Sequence, residues 1–347
     1  MITFEFYGES HGKGYGGVIK GLLNGFTFDV AEINKQLAAR KTGYGRSSRQ
    51  TFRDEAAFDG FGDTVTVNGE LRFFVANACA EKRSEITALR SGHADVVGQA
   101  RFENSGVRAL NEIASARNSV CYVVLGAICR QYLKRFNIFT YHYVESIGGV
   151  SSRKKYRFGV SEQEEHFALL HCADPLATQR MMKKIDVARE NGDSLGGAVT
   201  VGACGVPMGL GEILPYEERL DARISANLMG IPSVKGISFG IAEKYGILSG
   251  KECYDKLEVN DGKIVYATNN CGGIVSGITN GRDILCRLTV KPVPTVKGAV
   301  TYDSVTLKET EAHYERADTC VVPNVGVIAE NILAYVLLNQ LIKQGKA

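Results

Sequence analysis

The sequence has little proline, 7 residues in 347, which excludes Pro-rich linkers between separate modules. It has almost no net charge, since 41 Lys plus Arg against 38 Asp plus Glu leave a formal +3. A balance that close gives no footprint for general nucleic-acid binding or for a polybasic membrane surface. None of its nine cysteines (Cys79, Cys121, Cys129, Cys172, Cys204, Cys253, Cys271, Cys286 and Cys320) forms a C-x-x-C pair, and their number is odd. That excludes a zinc ribbon and argues against a disulfide framework, leaving small buried thiols in a reducing compartment and no metal site. The opening Met1-Ile2-Thr3-Phe4-Glu5 has neither a basic n-region nor an apolar h-region, so no signal peptide and a cytoplasmic location are expected. Asn191 to Gly211 carries no charge apart from Asp193, but seven glycines and Pro207 break it. It is not expected to span a membrane.

Glycine is in excess, 39 of 347 residues, which implies frequent reversals and close backbone approaches. Hydrophobic periodicity predicts helices over Val30 to Arg40 (with Asp29 as N-cap), Glu112 to Lys134, Leu176 to Asn191 and Val325 to Lys343. Strand-like segments are Ile2 to Tyr7, Leu71 to Ala76, Phe139 to Val144, Ala198 to Val206, Ile264 to Thr268, Ile284 to Val290 and Val300 to Leu307. Strands and helices come in groups rather than in alternation, which favours an α+β fold with antiparallel sheets. No composition shift marks a boundary, so residues 1–347 are read as a single domain.

Gly12-Lys13-Gly14-Tyr15-Gly16-Gly17 matches G-x-G-x-x-G after a strand. Gly21 and Gly25 cut the segment that a dinucleotide-binding helix would need, so the reading here is a glycine-rich β-turn region. Gly8-Glu9-Ser10-His11-Gly12 places a carboxylate, a hydroxyl and an imidazole together at a strand end, where a histidine can act as acid or base. Ser91-Gly92-His93-Ala94-Asp95 offers a second histidine beside a carboxylate. The run from Arg40 to Arg53 holds Arg40, Lys41, Arg46, Arg49 and Arg53 among hydroxyls and glycines, which suits phosphate or carboxylate binding; a solvated basic loop is the plainer alternative.

In chain order these segments are joined by Ala114-Ser115-Ala116-Arg117, Gly192-Asp193-Ser194-Leu195-Gly196-Gly197, Val206-Pro207-Met208-Gly209-Leu210-Gly211-Glu212 and Ser233-Val234-Lys235-Gly236. Gly272-Gly273-Ile274, Gly277-Ile278-Thr279-Asn280-Gly281, Lys291-Pro292 and Arg316-Ala317-Asp318-Thr319-Cys320 complete the series. From Gly8 to the C-terminal helix the series resembles the chorismate synthase family in order and nearly in spacing. The resemblance implies a single-domain β-α-β sandwich, helices between antiparallel sheets, assembled as a homotetramer. It implies anti 1,4-elimination of phosphate from 5-enolpyruvylshikimate 3-phosphate to give chorismate, with reduced FMN (FMNH2) as cofactor and NADPH as the flavin reductant in some members. By the same resemblance His11 is the acid near the leaving group, His93 stabilises reduced flavin, and Ser10 and Asp318 relay the proton at flavin N5. Arg40, Arg46, Arg49 and Arg53 are implied to bind substrate. Cofactor binding is implied for Ser115, Ala116, Arg117, Pro232, Ser233, Ser276, Arg316 and the segment Lys291, Pro292, Val293, Pro294 and Thr295.

Departures fall at Ile113, where the family carries arginine, at Asn118, where it carries an acid, and at Val275-Ser276, where it carries glycines; Ala39-Arg40-Lys41-Thr42-Gly43 stands where the family reads R-R-x-P-G, and Asp54 to Ile86 matches poorly. The loss of arginine at Ile113 is expected to weaken FMN binding. Two readings follow: a divergent enzyme of this kind, or a paralogue that binds flavin or an anionic metabolite without this turnover.

Overall fold

Leu71, Phe73 and Val75 turn inward while Arg72 and Ala76 face solvent, the period-2 pattern of a strand with one buried face. This strand belongs to a four-stranded antiparallel sheet built from β1 (Thr3–Gly8), β2 (Gly14–Lys20), β3 (Ala56–Phe58) and β4 (Leu71–Ala76), in the order β1-β2-β4-β3. In the computed structural model the residues described are 1–59, 62–78, 84–103, 105–314 and 317–347, with Ser48 and Arg49 described by their backbone alone. The glycine-rich segment expected as a turn is a turn only up to Lys13. From Gly14 it is β2, an inner strand of the sheet. Gly14, at φ +150°, lies where a Cβ would sit 2.2 Å from the carbonyl oxygen of Val75, so close strand pairing explains the glycine without a nucleotide.

A second antiparallel sheet holds β5 (Phe139–Ile147), β6 (Val150–Ser151), β7 (Gly197–Cys204), β8 (Val234–Phe239) and β9 (Ile284–Val290), in the order β8-β9-β7-β5-β6. The helices are α1 (Val30–Lys41), α2 (Asp95–Arg101), α3 (Val107–Ile113), α4 (Ser119–Leu133), α5 (Pro175–Glu190), α6 (Leu220–Met229) and α7 (Val322–Lys343), with two single-turn helices at Phe167–Leu170 and Gly250–Cys253. Helix α4 packs against β2 on one side and α7 on the other, and α7 packs against β5 and β7. The order of layers is therefore sheet, helices, sheet, the expected α+β sandwich.

Two glycines permit this stacking. A Cβ on Gly126 of α4 would lie 2.3 Å from the carbonyl oxygen of Asn331 on α7, and one on Gly326 would lie 2.4 Å from the His142 ring on β5. Aromatic edges seal the other face, where Phe4 of β1 meets Tyr122 at 5.7 Å and Tyr335 at 5.5 Å between ring centroids. Helix α7 is, among the described residues, the one helix long and apolar enough to cross a bilayer, but 89% of its most apolar stretch is buried inside the fold. It is the central core helix.

Several boundaries differ from expectation. The single helix expected over Glu112 to Lys134 is two helices, because Ser115 takes an extended ψ of 130° and its hydroxyl accepts the Arg117 N–H, starting a new turn. Val300 to Leu307 is a strand only to Tyr302; the chain turns back with Leu307 at φ +57° and pairs through Glu309–Glu311. Helix α6 carries buried Leu220, Ile224 and Leu228 at helical spacing and was not anticipated. The Asp29 cap is present, its carboxylate accepting the Ala31 N–H.

Candidate active site

The site begins where α1 ends. Its last turn carries Arg40 and Lys41, both buried. The side-chain amide of Asn324, at the start of α7, donates to the Arg40 and Thr42 carbonyls at 2.8 Å each and fixes that turn between the layers. Asp54 Oδ1 accepts from Lys41 Nζ and from Arg117 Nη2, each at 3.0 Å. Burial, partly offset by Asp54, pushes the Arg40 guanidinium down to about 10, still cationic at neutral pH. Burial also lowers Lys41, against the opposing hydrogen bond and charge of Asp54. The Nε atoms of Arg40 and Arg117 are buried and have no hydrogen-bond partner among the described residues. Two cations thus share one oxygen of Asp54 and a third, Arg40, is buried beside them, an excess of positive charge that a bound anion would compensate.

These side chains face a cavity of about 440 Å³, within the range of small-molecule sites, floored by Ile231, Val321, Val325 and Ile328. Arg46 also lines it, donating through Nη1 to Asp318 Oδ2 at 2.6 Å, while Asp318 Oδ1 accepts the Ser47 N–H at 2.8 Å. The proposed pair of Ser10 and Asp318 is not joined by a hydrogen bond among the described residues. Ser10 Oγ meets Ser115 Oγ at 2.7 Å instead, and both serines and Asp318 line the same cavity.

Two histidines enter from different elements. His11 stands in the turn between β1 and β2, which Asn77 braces by donating to the Ser10 and Gly12 carbonyls at 3.1 and 3.0 Å. Glu112, in the last turn of α3, accepts the His11 N–H at 2.9 Å and also the ring at Nδ1. His93 Nδ1 lies 3.0 Å from Asp95 Oδ1. Burial of Asp95 disfavours its charge, but hydrogen bonds from His93 and Arg90 outweigh that and hold its carboxyl below the usual range. An ionised Asp95 can only accept, so the proton of neutral His93 belongs on Nδ1 and Nε2 is left for a ligand. Arg90 reaches Asp95 through Nε at 3.2 Å and through Nη2 at 3.3 Å, Thr295 at 3.3 Å, and the side-chain oxygen of Asn111.

Ser115, Ala116, Arg117, Pro232, Ser233, Lys291, Val293 and Pro294 line the cavity as well. Lys291 Nζ donates to the Gly92 carbonyl at 2.6 Å, holding the His93 segment against β9. Ser233 takes φ +76° at the wall, a strained conformation for a non-glycine residue. Thr295 faces a neighbouring hollow behind Arg46 and Asp318. Pro292, Ser276 and Arg53 do not line the main cavity, and all three are exposed. Arg316 lies outside the described residues, as does the side chain of Arg49. Of the departures, Ile113 is 63% exposed and neither Ile113 nor Asn118 lines the cavity. Asp54, Glu112, Asn77 and Arg90 were missed as site residues, while Lys41 was read as one cation of the basic run without a role of its own. Each is an ordinary polar residue whose partner is fixed only by folding; the one local signal was Lys41 beside Arg40.

The chorismate synthase family model matches residues 2–342 of the chain. Chorismate synthase of Caldicellulosiruptor bescii is 34% identical, over 99% of this chain and 95% of its own length. That of Carboxydothermus hydrogenoformans is also 34% identical, over 99% and 94%. A crystal structure titled as chorismate synthase superposes with a TM-score of 0.78 at 27% identity, covering 99% of this chain and 92% of that one.

Proposed function

The chain belongs to the chorismate synthase family of carbon–oxygen lyases, and on that premise we propose that it converts 5-enolpyruvylshikimate 3-phosphate to chorismate and phosphate by anti 1,4-elimination, with reduced FMN. The observation that carries this reading is the excess of cations over acids: buried Arg40 and Lys41 and half-buried Arg117 around the single carboxylate of Asp54, with the Nε atoms of both arginines and Asp54 Oδ2 unpartnered among the described residues. A substrate with one phosphate and two carboxylates supplies the missing negative charge. Lys291, Ser115 and Arg117 on the same wall are donors that would hold the phosphate of an anionic cofactor.

Reduced FMN, when bound, supplies transient electron density and a basic N5 for the C6 proton. The protein's own residues do the rest. Arg40, Lys41, Arg46 and Arg117 hold the phosphate and carboxylates, so that the C3–O bond breaks into a preorganised positive field. With Nδ1–H held by Glu112, the imidazolium form of His11 carries a second proton on Nε2; it gives that proton to the departing phosphate and returns to the neutral Nδ1–H ring. His93, its tautomer fixed by Asp95, lines the cavity and would offer Nε2 to reduced flavin as a hydrogen-bond partner. The Ser10 and Ser115 hydroxyls bond to each other at 2.7 Å on the cavity wall. Ile113, Asn118, Val275 and Ser276, which depart from the family pattern, do not line the cavity, which favours turnover over a binding-only paralogue. We further propose a single-domain, cytoplasmic homotetramer.

Phosphate release from the substrate under anaerobic conditions tests this. Release with reduced FMN and none with oxidised FMN supports the reading; equal release without flavin contradicts it.

A further inference from the structure

Consecutive residues at the end of α3 reach the two histidine systems from one helical turn. Asn111 accepts from Arg90, which grips the Asp95 partner of His93, and Glu112 grips His11. The Glu112 contact has a form that simple loop anchoring does not require. One carboxylate takes both the backbone N–H of His11, at 2.9 Å, and the Nδ1 side of its ring, from a residue 101 positions away in sequence. Binding main chain and ring together fixes the ring torsions as well as the position of the turn. Both Glu112 oxygens act as acceptors, so Nδ1 must carry the proton and Nε2 is the only ring nitrogen open to a substrate. Buried Val107 and Leu110 seat α3, and Asn77 braces the turn from its other side, so the carboxylate is held on a rigid support.

We propose that Glu112 is the positioning residue of His11: it keeps the Nδ1 proton on its own side of the ring and aims Nε2, the nitrogen that takes up and gives away the second proton, at the leaving group. This rests on the elimination reading, so its test has a part that needs no turnover. In ¹⁵N-histidine NMR of the ligand-free protein, neutral His11 is expected as the Nδ1–H tautomer, and Glu112→Ala is expected to convert it to a mixture. In turnover, Glu112→Ala is expected to lower kcat by about 10²-fold, between the usual loss for an outer-shell partner and that for a misplaced histidine tautomer, with KM changed by less than about threefold. Glu112→Gln keeps the volume and one acceptor and falls between. Because Glu112 acts through His11, adding Glu112→Ala to His11→Ala is expected to cost less than about threefold more.

An Nε2–H tautomer in the wild type overturns the proposal, as do losses that multiply in the double variant or a rise in KM with kcat unchanged. A wild type that folds but forms no chorismate sinks the elimination reading alone. The tautomer measurement then decides for or against Glu112 by itself.

Discussion

Lys41 and Arg117 donate to the same oxygen of Asp54, each at 3.0 Å, although one closes α1 and the other lies in the turn before α4. The shared carboxylate leaves Arg40, buried beside them, with no acid of its own. That arrangement serves an anionic ligand at the expense of the ligand-free fold. Replacing Arg40 by Met keeps much of the side-chain volume and removes the uncompensated charge. Arg40→Met is expected to stabilise the ligand-free protein by about 1–3 kcal/mol in urea unfolding, while raising KM for substrate by about 10–100-fold, the loss of one charge-assisted contact. Lower stability with unchanged KM would show that Arg40 is a structural cation.

The histidines divide differently. His11→Ala is expected to slow the elimination by about 10²–10⁴-fold, the usual cost of losing a general acid. His93→Ala is expected to alter the absorption spectrum of bound reduced FMN, read by anaerobic titration. Two variants with wild-type turnover and spectra would remove both assignments.

At Ile113 the structure revises the expectation drawn from the family pattern. A side chain 63% exposed is not a core residue, and Ile113 does not line the cavity. Ile113→Arg is expected to leave stability within about 0.5 kcal/mol and FMN affinity within about twofold, measured by thermal melting and flavin titration. Tighter FMN binding would restore the arginine's importance.

The middle layer predicts a pH dependence unrelated to catalysis. His142 Nε2 meets His171 Nδ1 at 2.7 Å, and His142 Nδ1 meets Glu330 at 2.5 Å, with Arg130 on the far side of Glu330. Burial, then the adjacent His142 charge, pushes the His171 imidazole down from 6.5 to about 3. Between those values the unfolded chain binds a proton that the folded chain does not. The contribution is therefore intact above pH 6.5 and is lost as pH falls toward about 3, by up to about 1.4 kcal/mol per unit. Glu330 does not offset this, since Arg130 and His142 hold its carboxyl below the usual range despite burial. Urea unfolding at pH 7.5, 6 and 5 is expected to show the decline, and His171→Gln to flatten it; a slope unchanged by that substitution would place the effect elsewhere.

Strands whose pattern is purely local were legible in the sequence. Leu71–Ala76 and Ile284–Val290 fall where alternation puts them, since one face of each packs inward. The break at Ser115 was not, because apolar spacing runs on across it and only the hydroxyl's bond to Arg117 stops the helix. Residues that resemble family motifs were found one by one, and fourteen of them share the cavity wall. What escaped was pairing: Ser10 with Ser115, Arg46 with Asp318, Glu112 with His11. Such partners are a hundred or more positions apart, and nothing local marks a glutamate as the one that will reach a histidine.

The central claim is that this cavity performs an elimination with no net redox change. The most direct test is to quantify phosphate, chorismate and flavin together in one anaerobic reaction with catalytic reduced FMN. The account predicts one phosphate per chorismate over many turnovers with the flavin still reduced at the end. Flavin oxidised in step with product, or phosphate released without chorismate, would contradict it.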